Sequence, residues 1–326
     1  MAYRATLKDV AAAAGVSVTT VSLVLNNRPA RVSEEKRKAI ADAAKKLNYV
    51  PNQSARSLVT KQSQLVALIV PDIENLFFAA LAKCVEDECA AQGYSLIVAN
   101  SDDSRAAEHE LLQRLPARGV VSCPVVLIDR LTQCGWCDAV GFDNYLGGRL
   151  AAQYLLEGGH TRIGIVTGDI AESSAAERRR GFVDAIEQSG KHFDSSLCVE
   201  GDYRFDSGYR AANQIIDGGA TAVFCCNDVM ALGFRQRMAE RGLHVTEDMQ
   251  VIGYDNILKR FGLGWRMTTV EQSVTDLAAA CWGMLRKRID VAVRAKSGTE
   301  SGDARPWLSD PQVEVLTPKL VQAACA

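Results

Sequence analysis

Eleven Lys and Arg residues stand against four Asp and Glu in residues 1–62, a net charge of +7. Residues 63–326 hold 26 basic and 35 acidic side chains, a net of −9, so a near-neutral chain carries a basic head on an acidic body. Clustered basic charge neutralises phosphates, and screening over roughly 10 Å keeps that attraction local to one end. Within the head, Ser17-Val18-Thr19-Thr20 and Ser22 form a run of short side chains able to reach base edges. Four histidines (His109, His160, His192, His244) are scattered without a Ser or Cys nucleophile motif, and no Gly-x-x-x-x-Gly-Lys-Ser/Thr phosphate loop occurs. Cys134-Gly135-Trp136-Cys137 has ligand-like spacing, but a metal site needs about four ligands and no histidine lies in that segment. The chain reads as a non-enzyme with no cofactor, metal or catalytic residue expected.

These side chains need elements to position them. Thr6 and Asp9 form a capping-box-like start, and Leu7, Val10, Ala11 and Ala14 fall on one helical stripe. Gly15-Val16-Ser17 supplies a tight turn and a cap, after which Val21, Val24 and Leu25 continue the stripe on a second helix. This is a helix-turn-helix. Ser33, Glu34 and Glu35 open a third helix with Ile40, Ala43, Ala44 and Leu47 inside and Lys36, Lys38, Lys45 and Lys46 outside. Pro51 stops it, and Asn52 can cap a short helix through Leu58 that is marginal in water without a partner.

Thr6-Leu7-Lys8-Asp9-Val10-Ala11, Ala14-Gly15-Val16-Ser17, Thr20-Val21-Ser22 and Leu47-Asn48-Tyr49-Val50-Pro51-Asn52 resemble the head of the lactose-repressor (LacI/GalR) family of bacterial transcription regulators. The resemblance implies a homodimer on double-stranded DNA at a palindromic operator, with Val18, Thr19 and Leu23 facing the major groove. The DNA-contacting set it implies also includes Thr6, Ser17, Thr20, Ser22, Asn26, Arg28, Tyr49, Asn52, Ser54, Ala55, Arg56 and Leu58. In the family, the residue matching Leu58 is an apolar wedge that kinks the minor groove. A DNA-binding domain over 1–50, a hinge over 51–62 and an effector-binding and dimerisation body over 63–326 follow.

At 326 residues with 48% hydrophobic content, the chain has material for two or three cores. In the body, apolar runs at 65–70, 94–99, 125–129, 163–167, 222–226 and 250–254 alternate with helix-period segments, the pattern of parallel sheets with helices on both faces. Ligands in such sheets bind beyond the strand carboxyl ends. The resemblance extends here as a periplasmic-binding-protein-like body of two doubly wound subdomains. It implies that Phe77, Phe78, Arg178, Tyr203, Asn227, Asp228, Asp255 and Gln272 line an effector cleft. Aromatic faces, a planar fork and carboxylates suit a small sugar.

Family members carry a further strand and helix between the helix ending near Arg118 and the strand at 125–129, whereas here residues 119–123 alone join them. About a dozen residues or more are needed for a crossover. Either the first subdomain has lost one βα unit or its strands pair differently. No apolar run reaches the roughly 20 residues of a membrane span, no secretory signal pattern follows Met1, and the ten cysteines read as reduced interior residues of a cytoplasmic protein. The expected function is an effector-controlled repressor of carbohydrate-utilisation genes. The alternative is a non-enzymatic sugar receptor without operator binding, against which the basic head argues.

Overall fold

The computed structural model describes residues 5–25, 29–49, 63–117, 124–129, 131, 137–263, 267–297 and 310–323. The chain divides into two compact units, Met1–Ser63 and Gln64–Ala326.

The first unit holds α1 (Leu7–Ala14), α2 (Val18–Leu25) and α3 (Glu34–Lys46). Asp9 Oδ2 accepts from both the backbone N and the hydroxyl of Thr6 at 2.7 Å, which fixes the entry to α1. Gly15 ends α1 at φ 63°, where glycine avoids the Cβ strain of the left-handed region, and its N–H satisfies the last-turn carbonyls of Ala11 and Ala12. Val10, Ala11, Val21, Val24, Ile40 and Ala44 form the core of this unit.

The second unit is α/β. Its strands are β1 (Leu65–Val70), β2 (Ser95–Asn100), β3 (Val126–Ile128), β4 (Asp138–Phe142), β5 (Ile163–Thr167), β6 (Cys198–Glu200), β7 (Ala222–Cys225), β8 (Gln250–Asp255), β9 (Thr269–Glu271), β10 (Val313–Leu316) and β11 (Lys319–Val321). Its helices are α4 (Leu76–Ala91), α5 (Arg105–Ala117), α6 (Asn144–Glu157), α7 (Ser173–Gln188), α8 (Phe205–Asp217), α9 (Asp228–Glu240) and α10 (Val274–Ser297).

One subdomain is built on a six-stranded sheet, β11-β9-β8-β7-β5-β6, parallel except for β11 against β9. The chain steps outward from β5 to β6 and then returns past β5 to β7. Right-handed crossovers therefore place α7 and α8 on opposite faces and leave a switch point between β5 and β7. Helices α6 and α7 pack through glycine: a Cβ on Gly148 would lie 2.0 Å from the Arg178 carbonyl oxygen, and one on Gly181 would lie 1.9 Å from that of Tyr145. Helices α8 and α9 repeat the device at Gly208 and Gly233.

The other subdomain is built on shorter sheets, and the link at 119–123 lies outside the described residues. Among the described residues, β1 pairs only with β2, and β3 pairs with β4 in a separate trio, β10-β4-β3. Among the described residues the sheet of this subdomain is thus in two pieces. Helices α4 and α10 pack over both pieces through Phe77, Leu81 and Val85 against Leu277, Ala278 and Trp282. A buried ion pair ties the trio to α10: Arg288 donates from Nε to Asp138 Oδ2 at 2.7 Å and from Nη2 to Oδ1 at 2.5 Å.

The chain passes between the subdomains three times, after β4, after β9 and after β10. Two of the crossings touch, since Asp143 N donates to the Leu316 carbonyl at 2.9 Å. They form the hinge at the base of the cleft. Among the described residues, no single helix is long and apolar enough to cross a membrane, and no group of three His, Cys, Asp or Glu could hold a metal ion.

Candidate functional site

In the head, Ser17 Oγ accepts from Thr20 N at 3.1 Å and shares a 2.8 Å hydrogen bond with the Thr20 hydroxyl. Those two hydroxyls build the cap of α2. Thr6 likewise serves the start of α1. Val18 and Thr19 are exposed at the start of α2, while Ser22 and Leu23 are half-buried. Tyr49 is half-buried against the head core, its N–H donating to the Ala44 carbonyl at 2.8 Å. Lys36, Lys38, Lys45 and Lys46 are all exposed on α3. Asn26, Arg28, Asn52, Ser54, Ala55, Arg56 and Leu58 lie outside the described residues.

The body's candidate site is the cleft at the carboxyl ends of β5, β7 and β8. Arg178, on α7, is buried; it donates from Nε to Asn144 Oδ1 at 2.7 Å and from Nη1 to the Cys226 carbonyl at 2.8 Å. Its guanidinium lies 3.9 Å from the centre of the Tyr254 ring and 6.0 Å from that of Tyr203. Burial alone would lower the Arg178 pKa, yet the Tyr254 and Tyr203 rings and the Asp255 and Asp129 carboxylates raise it overall, so the charge is fixed. Tyr203 adopts φ 62°, a strained value for a residue with a Cβ. Its ring covers Gly168 so closely that a Cβ there would fall 2.1 Å from the ring carbon Cζ.

Asp255 ends β8 at φ 103° and is 5% exposed. Gln272 Nε2 donates to its Oδ1 at 2.9 Å. Burial pushes the Asp255 carboxyl well above the usual range, against the pull of Arg178. Two buried polar atoms of the cleft have no hydrogen-bond partner: Gln272 Oε1, after β9, and Thr167 Oγ1, at the end of β5 next to Gly168. An unpaired buried acceptor is costly, which makes the cleft a seat for a hydrogen-bonding ligand.

The structure therefore brings together Arg178, Tyr203, Asp255 and Gln272 of the expected set. It also corrects three assignments. Phe77 is 3% exposed and packs in the α4/α10 core, because its side of α4 faces α10. Asp228 is held internally: Oδ1 accepts from the Thr269 hydroxyl at 2.7 Å and Oδ2 from Ile257 N at 2.8 Å. Asn227 caps α9 by accepting from Met230 N at 2.8 Å, and its Nδ2 donates to the Tyr203 carbonyl at 2.8 Å. Both residues are thus engaged in holding the backbone around the site. Phe78 is half-buried between the α4/α10 core and the Leu68/Val70 cluster.

Asn144, Thr167 and Tyr254 complete the cleft and were not anticipated. Thr167 and Asn144 follow the rule that residues at strand carboxyl ends matter, but Asn144 follows β4, a strand whose Asp138 and Gly141 disguise it. Tyr254 is fully buried, and only its stacking on Arg178 reveals its part.

The chain is similar to known proteins along most of its length. Residues 6–52 match the model described as "Bacterial regulatory proteins, lacI family", and residues 152–303 match the "Periplasmic binding protein-like domain". The HTH-type transcriptional repressor PurR of Pasteurella multocida (strain Pm70) is 36% identical over 309 residues, covering 88% of this chain and 92% of that protein. The transcriptional regulator CelR, solved as a cellobiose complex, is 27% identical with a TM-score of 0.68, covering 99% and 100%. The Lac repressor bound to ONPG in the repressed state is 25% identical with a TM-score of 0.79, covering 98% and 99%.

Proposed function

Starting from a chain that belongs to the lacI family of bacterial regulatory proteins, and so is a DNA-binding transcriptional repressor and not an enzyme, we propose that it controls carbohydrate-utilisation genes through a small sugar or sugar-derived effector. The observation that carries this is the Asp255–Gln272 pair, with Gln272 Oε1 buried and unpaired, in the same cleft as Arg178 and the Tyr203 ring. Sugar hydroxyls both donate and accept, so one molecule can pair with the Asp255 carboxyl and Gln272 Oε1 while laying an apolar face on Tyr203. The similar regulator CelR was solved with a sugar, cellobiose. A second reading, a planar base such as a purine, is favoured by the adjoining carboxyl and amide edge of Asp255 and Gln272.

The head acts on a palindromic operator as part of a homodimer, with Val18 and Thr19 presented to base edges and Leu58 as the wedge at the operator centre. Effector occupancy changes the closure of the two subdomains and hence operator affinity.

A thermal-shift screen of sugars, sugar phosphates and purines tests the effector reading. A stabilising sugar whose effect is lost in Asp255→Ala supports it, and one that stabilises the variant equally sinks the pocket as drawn. For the head, retardation of the gene's own upstream DNA should be lowered by Leu58→Ala at specific sites while nonspecific binding stays nearly unchanged.

A further inference from the structure

The cleft has a hinge at its base, and on its open side the two walls are also joined. Arg204 donates from Nη2 to Asp72 Oδ2 at 3.0 Å, linking the loop after β1 in one subdomain to the loop before α8 in the other. Both groups are held in place before they meet. Asp72 Oδ1 accepts from Glu74 N at 2.9 Å, and the Asp72 carbonyl accepts from Asn75 N at 3.2 Å. Arg204 N donates to Asp202 Oδ1 at 3.0 Å, and the Arg204 carbonyl accepts from the Ser207 hydroxyl at 2.9 Å.

The residue before Arg204 is Tyr203, whose left-handed backbone turns its ring inward over Gly168. One strained step in the chain thus sends consecutive side chains to two places, the ligand seat and the opposite wall. The Tyr203 carbonyl is held by Asn227, whose neighbour Asp228 grips Ile257 and Thr269 beside the hinge.

We infer that Asp72 and Arg204 form a latch across the cleft mouth that favours the closed arrangement of the subdomains with Tyr203 lodged inside, so that ligand entry requires it to open. The inference rests on reading the cleft as the effector site and adds a regulatory element to it. The Arg204 side chain is 61% exposed and that of Asp72 16% exposed, so the pair acts in a salt-screened setting and its effect is small. Small is sufficient, because closure is an equilibrium between nearly balanced states and a few-fold change in population alters every affinity linked to it.

Hydrogen–deuterium exchange on the full-length chain without ligand tests the latch. The peptides to follow cover residues 71–76, 166–170 and 201–206. Asp72→Asn keeps an oxygen for the turn to Glu74 and removes the charge, and Arg204→Ala removes the partner. Each single variant should speed exchange in all three segments by about two- to fivefold at low salt, and the double variant should do no more than either alone. At roughly 1 M salt, where the Debye length is about 3 Å, wild type and variants should converge. Additive effects of the two substitutions, or unchanged exchange at low salt, overturn the latch. This cycle needs no ligand, so its failure is separate from that of the effector reading, which stands or falls on Asp255→Ala.

Discussion

The two subdomains of the body share one βα grammar, yet β5, β7 and β8 are buried along nearly their whole length while β1 alternates between half-buried and buried positions and β2 has no fully buried residue. In the six-stranded sheet Ile165, Val166, Val223, Phe224, Ile252 and Tyr254 are fully enclosed. In the divided sheet Val98, Val313 and Val315 are 43, 52 and 53% exposed. The apolar character of the strands does not explain this, since Leu65-Val66-Ala67-Leu68-Ile69-Val70 is as hydrophobic as any run in the other subdomain. What differs is cover. A strand in a doubly wound sheet is buried only when neighbours and helices close both faces, and the exposed valines lie on β2 and β10, each at the edge of its sheet, whereas β4, inside the trio, is buried throughout. The divided subdomain relies instead on the α4/α10 core and on the Arg288–Asp138 pair.

That contrast can be broken at its strongest point first. Phe224 stacks between Phe182 and Tyr254, at centroid distances of 5.4 and 6.1 Å, in the middle of the complete sheet. Phe224→Ala should cost about 3–5 kcal/mol, read from the urea midpoint; a cost no larger than for surface changes would mean that this core is not as rigid as it is enclosed. In the divided subdomain the largest loss should come from Arg288→Ala, at about 3 kcal/mol, because it strands the carboxylate of Asp138 in a buried position. Exchange protection of β3 and β4 should fall before that of β7.

Acid should separate the halves by sign. Burial would raise Asp138, but the Arg288 fork and the Gln312 N–H outweigh it and hold its pKa below the ordinary carboxylate value. Its stabilisation is present above the unfolded pKa of about 3.9 and is lost as pH falls through the lower folded value. Asp228 runs the other way, pushed up to about 6 by burial despite its hydrogen bonds. Its contribution is complete below about pH 4 and declines as pH rises through about 6. Between pH 7 and 4 the complete subdomain should gain stability while the divided one stays level, and below that the divided one should lose it; exchange measured across pH resolves the two, and a common response would dissolve the distinction. The smallest effect sharpens the comparison most. Val→Thr at the exposed Val98 or Val315 should shift stability by less than about 0.5 kcal/mol, whereas the same change at Val223 should cost about 1–3 kcal/mol for a buried hydroxyl.

Much of this architecture could be read from local pattern. Strands β1 and β5 fall where the apolar runs at 65–70 and 163–167 put them, and the three head helices follow their caps. Strand β4 was hidden because Asp138 and Gly141 interrupt it, and the reason an acid is tolerated there is an arginine 150 positions away. No local signal carries that. In the cleft, Arg178, Tyr203, Asp255 and Gln272 were legible as polar or aromatic residues in the family's pattern near strand ends. Phe77 was not separable from Phe78, because one residue of helical rotation decides which ring meets the core. Tyr254 and Thr167 look like ordinary strand residues until Arg178 and an unpartnered oxygen show otherwise.

The late strands β10 and β11 have a consequence during synthesis. Strand β10 pairs with β4 and β11 with β9, so each sheet takes a member from residues 313–321. Neither the trio nor the six-stranded sheet can be completed until residues 313–321 have been translated and have cleared the exit tunnel. The head, with its own six-residue core close to Met1, has no such dependence. A nascent chain therefore carries a structured, basic DNA-binding head for most of its translation while the controlling body is still open, and pauses late in the message would lengthen that interval.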